Sequence, residues 1–197
     1  KPGGAGPFPA VVMLHDCSGL GPRSSGSPKR WASQLVKRGY VVAIPDSFGT
    51  RGHAGGVCTN PSPSRADVAP SRRVPDAYAA LDHLRSLPFV AKDRIGVMGG
   101  SHGGATTLAT LAEQARDPVL LAERKRRGFV AGIALYPGCA IGNPRFTEEY
   151  RPVAPLLILI GERDDWTPAA ACLKLTEAAQ RAGKPVAIKV YPGAHHS

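Results

Sequence analysis

The sequence predicts an α/β protein built on a mostly parallel sheet with helices on both faces. Three observations carry that prediction. Short apolar runs that read as buried strands alternate along the chain with amphipathic, helix-prone runs. No internal repeat interrupts the alternation, and such a series is joined by right-handed crossovers between parallel strands. At 197 residues the chain is long enough to bury the core of one domain of this kind.

The elements follow in order. Ala10 to Leu14 (A-V-V-M-L) is the first strand, after a Gly/Pro-rich lead-in. Ser27-Pro28 offers an N-cap and an N1 proline to a helix whose Trp31 and Leu35 share one face up to Gly39. Tyr40 to Ile44 is the second strand, closed by Pro45. From Asp46 to Ser71 the chain is rich in Gly, Pro, Ser and Asn. A loop of about 25 residues is too long for a mere connection and is expected to shape a binding site. Pro75 opens a helix with Ala77, Leu81 and Leu84 on one face, ended by Pro88. Ile95, Val97 and Met98 form a strand, Ala105 to Ala115 a helix, and Phe129 to Tyr136 and Pro155 to Ile160 two further strands. Thr167-Pro168 caps a helix that stops at Gly183, and Val186 to Val190 is the last strand. In such sheets the working residues gather at the carboxyl ends of the strands.

Composition narrows the function classes. No apolar run approaches the length of a membrane span, so a globular protein with no membrane partner is expected. The chain starts at Lys1 with no signal segment within it, so a processed or trimmed N-terminus is expected, and export and cytoplasm both stay open. The net charge is +10, but basic residues are scattered singly apart from Arg72-Arg73 and Arg124-Lys125-Arg126-Arg127. The longer cluster reads as a solvated loop or helix end, and no zinc-finger spacing or basic helix accompanies it. Nucleic acid is therefore excluded as a partner. Cys17, Cys58, Cys139 and Cys172 are widely spaced with no C-x-x-C pair, which argues against a structural zinc. Cys17, Cys139 and Cys172 each follow a predicted strand end, which brings them to one edge of the site. One disulfide suits an exported protein, and four cysteines allow three full pairings. The sequence does not choose between these and free thiols.

The densest chemistry lies in Gly99-Gly100-Ser101-His102-Gly103. This G-x-S-x-G sits between a strand and a helix, where a serine is pushed out above the sheet on a strained turn. The N–H of His102, at the helix start, would point at negative charge developing beside Ser101. Five residues alone are a weak signal, so the partners matter. A serine needs a base, and the base needs a carboxylate. His83 is inside a helix, His53 in the long loop, His15 precedes the serine, and His102 is turned away by the helix start. That leaves His195 and His196, of which an extended segment can turn only one toward Ser101. Asp164 and Asp165 follow a fully apolar strand; one is expected to pair with histidine and the other to cap the next helix. The order Ser, Asp, His is that of α/β-hydrolases.

With these residues in place the chain resembles the dienelactone hydrolase family of α/β-hydrolases over nearly its whole length. The resemblance rests on Val11 to Leu20, Pro45-Asp46-Ser47-Phe48, the Ser101 elbow, Gly161 to Pro168 and Tyr191 to Ser197. It implies Asp164, four residues before Pro168, as the acid, and His196 as the base. It also implies the Cys17 N–H as a second oxyanion donor beside His102. The family's best-known members carry cysteine where this chain has Ser101. The implied activity is a serine hydrolase acting on small-molecule carboxylic esters or lactones, with no metal and no cofactor. Trp166, His195 and Asp165 are its substrate-pocket candidates. Peptidase, acyltransferase and non-catalytic binding module are the competing readings, and no oligomeric state is assigned. Residues 1–197 read as one α/β-hydrolase domain without the N-terminal strands and C-terminal helix of its relatives. On that reading nothing holds the His196 segment against the body of the protein.

Overall fold

The computed structural model describes residues 1–59, 63–113, 127–140 and 144–196. Among the described residues six strands form one sheet: β1 (Phe8–Leu14), β2 (Val41–Ala43), β3 (Val90–Gly100), β4 (Gly132–Leu135), β5 (Leu156–Gly161) and β6 (Val186–Tyr191). Their order is β2-β1-β3-β4-β5-β6, and every neighbouring pair is parallel. The winding reverses between β1 and β3, and a crevice opens at such a switch point beyond the carboxyl ends of the strands. Cys17 follows β1 and Ser101 follows β3, so both border it.

Side chains alternate across the sheet and divide the core in two. Ala10, Val12 and Leu14 of β1 pack with Ala77, Leu81 and Leu84 of α2 (Val74–Ser86) and with Leu108 and Leu111 of α3 (His102–Leu111). Further along, the same face takes α4 (Pro144–Glu149) and Leu175 and Ala179 of α5 (Ala169–Arg181). Val11 and Met13 point the other way, to Met98, Leu135 and Leu35 of α1 (Ser27–Lys37). Among the described residues α1 is the one helix over that face. None of the helices there is long and apolar enough to cross a membrane.

Several boundaries differ from those expected. Gly26, in the left-handed region at φ 69°, takes the N-cap of α1, and Ser27 enters the first turn. Glycine adopts that conformation without strain, which serine does not. Among its described residues the long loop forms the short 3₁₀ helices Gly49–Arg51, Pro63–Val68 and Pro70–Arg73. The helix after the elbow ends at Leu111, because Ala112 turns extended and bridges to Pro152. Helix α4 has no counterpart in the sequence reading. Of the long basic cluster, Arg124, Lys125 and Arg126 lie outside the described residues.

Candidate active site

Ser101 stands at φ 52° and ψ −116° between the last residue of β3 and the first of α3. Such a conformation costs a non-glycine residue about 1–3 kcal/mol and persists where the surroundings impose it. The imposed contacts are tight. A Cβ at Gly99 would lie 2.3 Å from the Gly103 carbonyl oxygen, and one at Gly103 would lie 2.1 Å from that of Leu14. The two glycines of the motif are thus required by backbone approach. The Ser101 N–H donates to the Leu135 carbonyl at 2.9 Å, which ties the turn to β4.

His196 reaches the serine from the turn after β6. Its Nε2 lies 3.0 Å from Ser101 Oγ, and its Nδ1 lies 2.8 Å from Asp164 Oδ2 and 3.0 Å from Oδ1. Asp164, on the turn after β5, also accepts the N–H groups of Trp166 (3.0 Å) and Thr167 (2.8 Å) and the Thr167 hydroxyl (2.9 Å). Burial pushes the Asp164 carboxyl up; the bonds from Thr167 and His196 outweigh it and hold the group below the ordinary carboxylate range. The sequence reading divides two roles between neighbouring carboxylates. The structure puts both the turn-closing bonds and the imidazole contact on Asp164, and leaves Asp165 exposed. Pro168, with no side-chain cap, precedes α5, because Thr167 is engaged with Asp164.

The His196 segment is held, contrary to the expectation from sequence. Arg163 N–H donates to the Ala194 carbonyl at 2.8 Å, and Gly193 N–H to Glu162 Oε2 at 2.8 Å. The imidazole is sandwiched besides. Trp166 stacks on it at 5.3 Å with 16° between planes, and Tyr136 meets it edge-on at 4.9 Å. His195 is exposed.

The other wall is longer-range. Cys17 is bonded to Cys58 and Cys139 to Cys172, so all four cysteines are paired. Cys17 is therefore tied to the long loop, and Cys139 to Cys172, which lies in α5 rather than just beyond a strand end. Behind it lies Arg73, fully buried, whose Nη2 donates to the His15 carbonyl at 2.9 Å and whose Nη1 donates to His102 Nδ1 at 2.7 Å. Its guanidinium carbon lies 4.9 Å from the centre of the Phe48 ring. Burial lowers Arg73 to about 9, still cationic at neutral pH. Burial, then the Arg73 charge, pulls His15 to about 4 and His102 to about 3. Both imidazoles are neutral at neutral pH, and His102 faces Arg73 rather than the serine hydroxyl. The sequence reading treats Arg72-Arg73 as an undifferentiated basic pair; Arg72 is exposed and Arg73 is not.

Two cavities meet at Ser101. The larger, about 500 Å³, is walled by Ala66, Ala69, Pro70, Ala105, Gly138 and Ala171. The smaller, about 310 Å³, holds Asp16, Ser25, Asp165, His195 and His196. Cys17, Cys58, Ser101 and Trp166 border both. Among the described residues no cluster of His, Cys, Asp and Glu could hold a metal ion.

Comparison with known proteins agrees with this architecture. The family model described as "Dienelactone hydrolase family" matches residues 1–197. A Methylorubrum extorquens protein provisionally named carboxymethylenebutenolidase is 27% identical, the match covering all of this chain and 65% of that protein. The chain thus spans just under two thirds of the length of that relative. Dipeptidyl-peptidase 5 of Porphyromonas gingivalis is 25% identical over 96% of this chain but 30% of its own length. Among solved structures, Thermogutta terrifontis esterase 2 phosphorylated by paraoxon is 20% identical at a TM-score of 0.71, covering 98% of this chain and 74% of that one.

Proposed function

The chain belongs to the dienelactone hydrolase family, and we propose that it is a serine hydrolase that cleaves carboxylic esters or lactones through an acyl-enzyme. One observation carries the reading: Ser101 Oγ, the two nitrogens of His196 and Asp164 Oδ2 form a single run at 3.0 and 2.8 Å. His196 Nε2 takes the Ser101 proton as Oγ attacks the carbonyl carbon. The bond to the alcohol oxygen then breaks, and the same proton passes from Nε2 to that oxygen. Water next gives a proton to His196 and adds to the acyl carbon; the acid departs as Oγ regains its proton. Asp164 accepts the Nδ1–H, keeps Nε2 free and stabilises the transient imidazolium. The N–H groups of Cys17 and His102 are assigned to the developing oxyanion.

Proton delivery orients the substrate. The leaving alcohol must lie beside His196, which borders the smaller cavity with Asp165 and His195. The acyl group then occupies the larger cavity, lined by alanines and by Arg65, with Trp166 between the two arms. In a lactone the alcohol stays attached and spans both.

The test is Ser101→Ala with p-nitrophenyl acetate. Turnover is expected to fall by several powers of ten with the fold retained, leaving a residual of about 10³–10⁴ over water. The relative from Thermogutta terrifontis is phosphorylated by paraoxon; here the same reagent should label wild type and spare the variant. A variant that keeps a tenth of the rate overturns the reading. The likeness to a dipeptidyl-peptidase supports a second arm of the test, an aminoacyl p-nitroanilide, on which slower cleavage than on the ester is expected.

A further inference from the structure

Arg73 is a buried cation whose guanidinium serves no carboxylate directly. Among the described residues it makes no ion pair, and its Nε makes no hydrogen bond. The nearest acid in sequence, Asp76, is occupied by Arg51 through two bonds of 2.7 Å. Removing such a charge from water is expensive, so the bonds that Arg73 does make are informative.

Both go to the segments that carry the assigned oxyanion donors. The His15 carbonyl lies two residues before the Cys17 N–H, and His102 supplies the other N–H from its own backbone. These two segments touch: a Cβ at Gly103 would meet the carbonyl oxygens of Leu14 and His15 at 2.1 and 2.7 Å. Phe48 lies against the guanidinium, and its ring centre is 4.5 Å from that of His15 and 5.6 Å from that of His102, both near-perpendicular. A planar fork with diverging donors can hold two acceptors at a set separation, which a lysine ammonium on a flexible stem cannot.

We propose that Arg73 is a positioning residue of the oxyanion hole, bridging the His15 carbonyl and the His102 imidazole so that the N–H groups of Cys17 and His102 keep the spacing that the tetrahedral intermediate requires. The inference rests on the hydrolase reading above and deepens it. Arg73 does not touch the substrate and acts through the two peptide segments alone.

Arg73→Lys and Arg73→Met are to be assayed with p-nitrophenyl acetate and with its thionoester, whose C=S accepts hydrogen bonds poorly and draws little from the two donors. Displacing preorganised donors by on the order of 1 Å costs about 10- to 100-fold in turnover. In both variants kcat on the oxoester is expected to fall by that factor, with KM within about threefold of wild type. The ratio of oxoester to thionoester rates should shrink by the same factor, which a general loosening of the fold would not produce. Equal losses on both substrates, unchanged kcat, or failure of both variants to fold would assign Arg73 to structure and overturn the proposal. Ser101→Ala is run alongside. If it retains activity, the hydrolase reading falls and takes this one with it. If it is inactive while the Arg73 variants keep the wild-type ratio, this inference alone fails.

Discussion

The two walls that meet at Ser101 are held at different ranges. On the base side, Asp164 and His196 stand on turns leaving the neighbouring strands β5 and β6, and the bonds that steady them run largely between those turns. On the oxyanion side, Cys17 is tied to Cys58 across 41 residues, and the His15 carbonyl to Arg73 across 58. The base side is thus assembled by strand pairing itself. The oxyanion side needs the long loop to come home, close a disulfide and seat a buried cation. Chemistry held locally is fixed once its strands form; chemistry held by distant tethers can be detuned without unfolding the sheet.

The largest effect should come from the base side by changing one atom. Asp164→Asn keeps an oxygen for the N–H groups of Trp166 and Thr167 and loses the tautomer control. In a serine protease the same change costs about 10⁴ in kcat. A comparable loss is expected here with a melting temperature close to wild type, read by steady-state kinetics and calorimetry. A large fall in melting temperature would mean that the carboxylate tethers the fold as well as orienting the imidazole.

The disulfides separate range from chemistry. Their spans of 41 and 33 residues are similar, so chain entropy assigns each a similar stabilisation, about 4 kcal/mol. Cys139→Ala/Cys172→Ala should lower the melting temperature and leave kcat within about threefold. Cys17→Ala/Cys58→Ala should lower it similarly and also lower kcat by about 10²-fold, the penalty for misplaced groups. Equal kinetics in the two double variants would erase the distinction between the walls.

Acid should reach the oxyanion side first. Unfolded imidazoles titrate near 6.5, whereas His15 and His102 are held at about 4 and about 3 by burial and then by Arg73. Below about pH 6.5 the unfolded chain takes up protons that the folded chain refuses, so stability is lost from there down to those values. The depressed carboxyl of Asp164 acts in the same direction at lower pH: its contribution is present above the ordinary carboxylate value and is lost only as pH falls through a lower one. Melting temperature should therefore decline already between about pH 6.5 and 4, and His102→Gln should make that slope shallower. An unchanged slope would place the sensitivity elsewhere. The smallest effect belongs to Asp165→Asn, an exposed position where a change within about 0.5 kcal/mol and near-normal turnover are expected.

What could be read from the sequence follows the same division. The elbow, the Ser–Asp–His order and the alternating strands are local patterns, and they lie where spacing puts them. Choosing Asp164 and His196 over their neighbours needed the family resemblance, since adjacent residues share composition and differ only in facing. The disulfide partners and Arg73 were illegible for a physical reason. Nothing in Ser71-Arg72-Arg73-Val74 separates the exposed arginine from the buried one, because the difference arises from contacts with His15 and His102 on other elements. Helix α4 is a six-residue segment, below the length at which periodicity speaks.

The stacking of Trp166 on His196 gives this site an optical signal of its own. An indole in face-to-face contact with an imidazolium loses fluorescence that it keeps beside a neutral ring. Trp166 lies at 5.3 Å and 16° from the imidazole, while the only other tryptophan, Trp31, sits on α1 and is 39% exposed. Each proton that crosses from Ser101 to His196 would dim one of two emitters and leave the other as an internal standard. Rapid-mixing fluorescence on the unlabelled protein could then time the charge transfer within a single turnover.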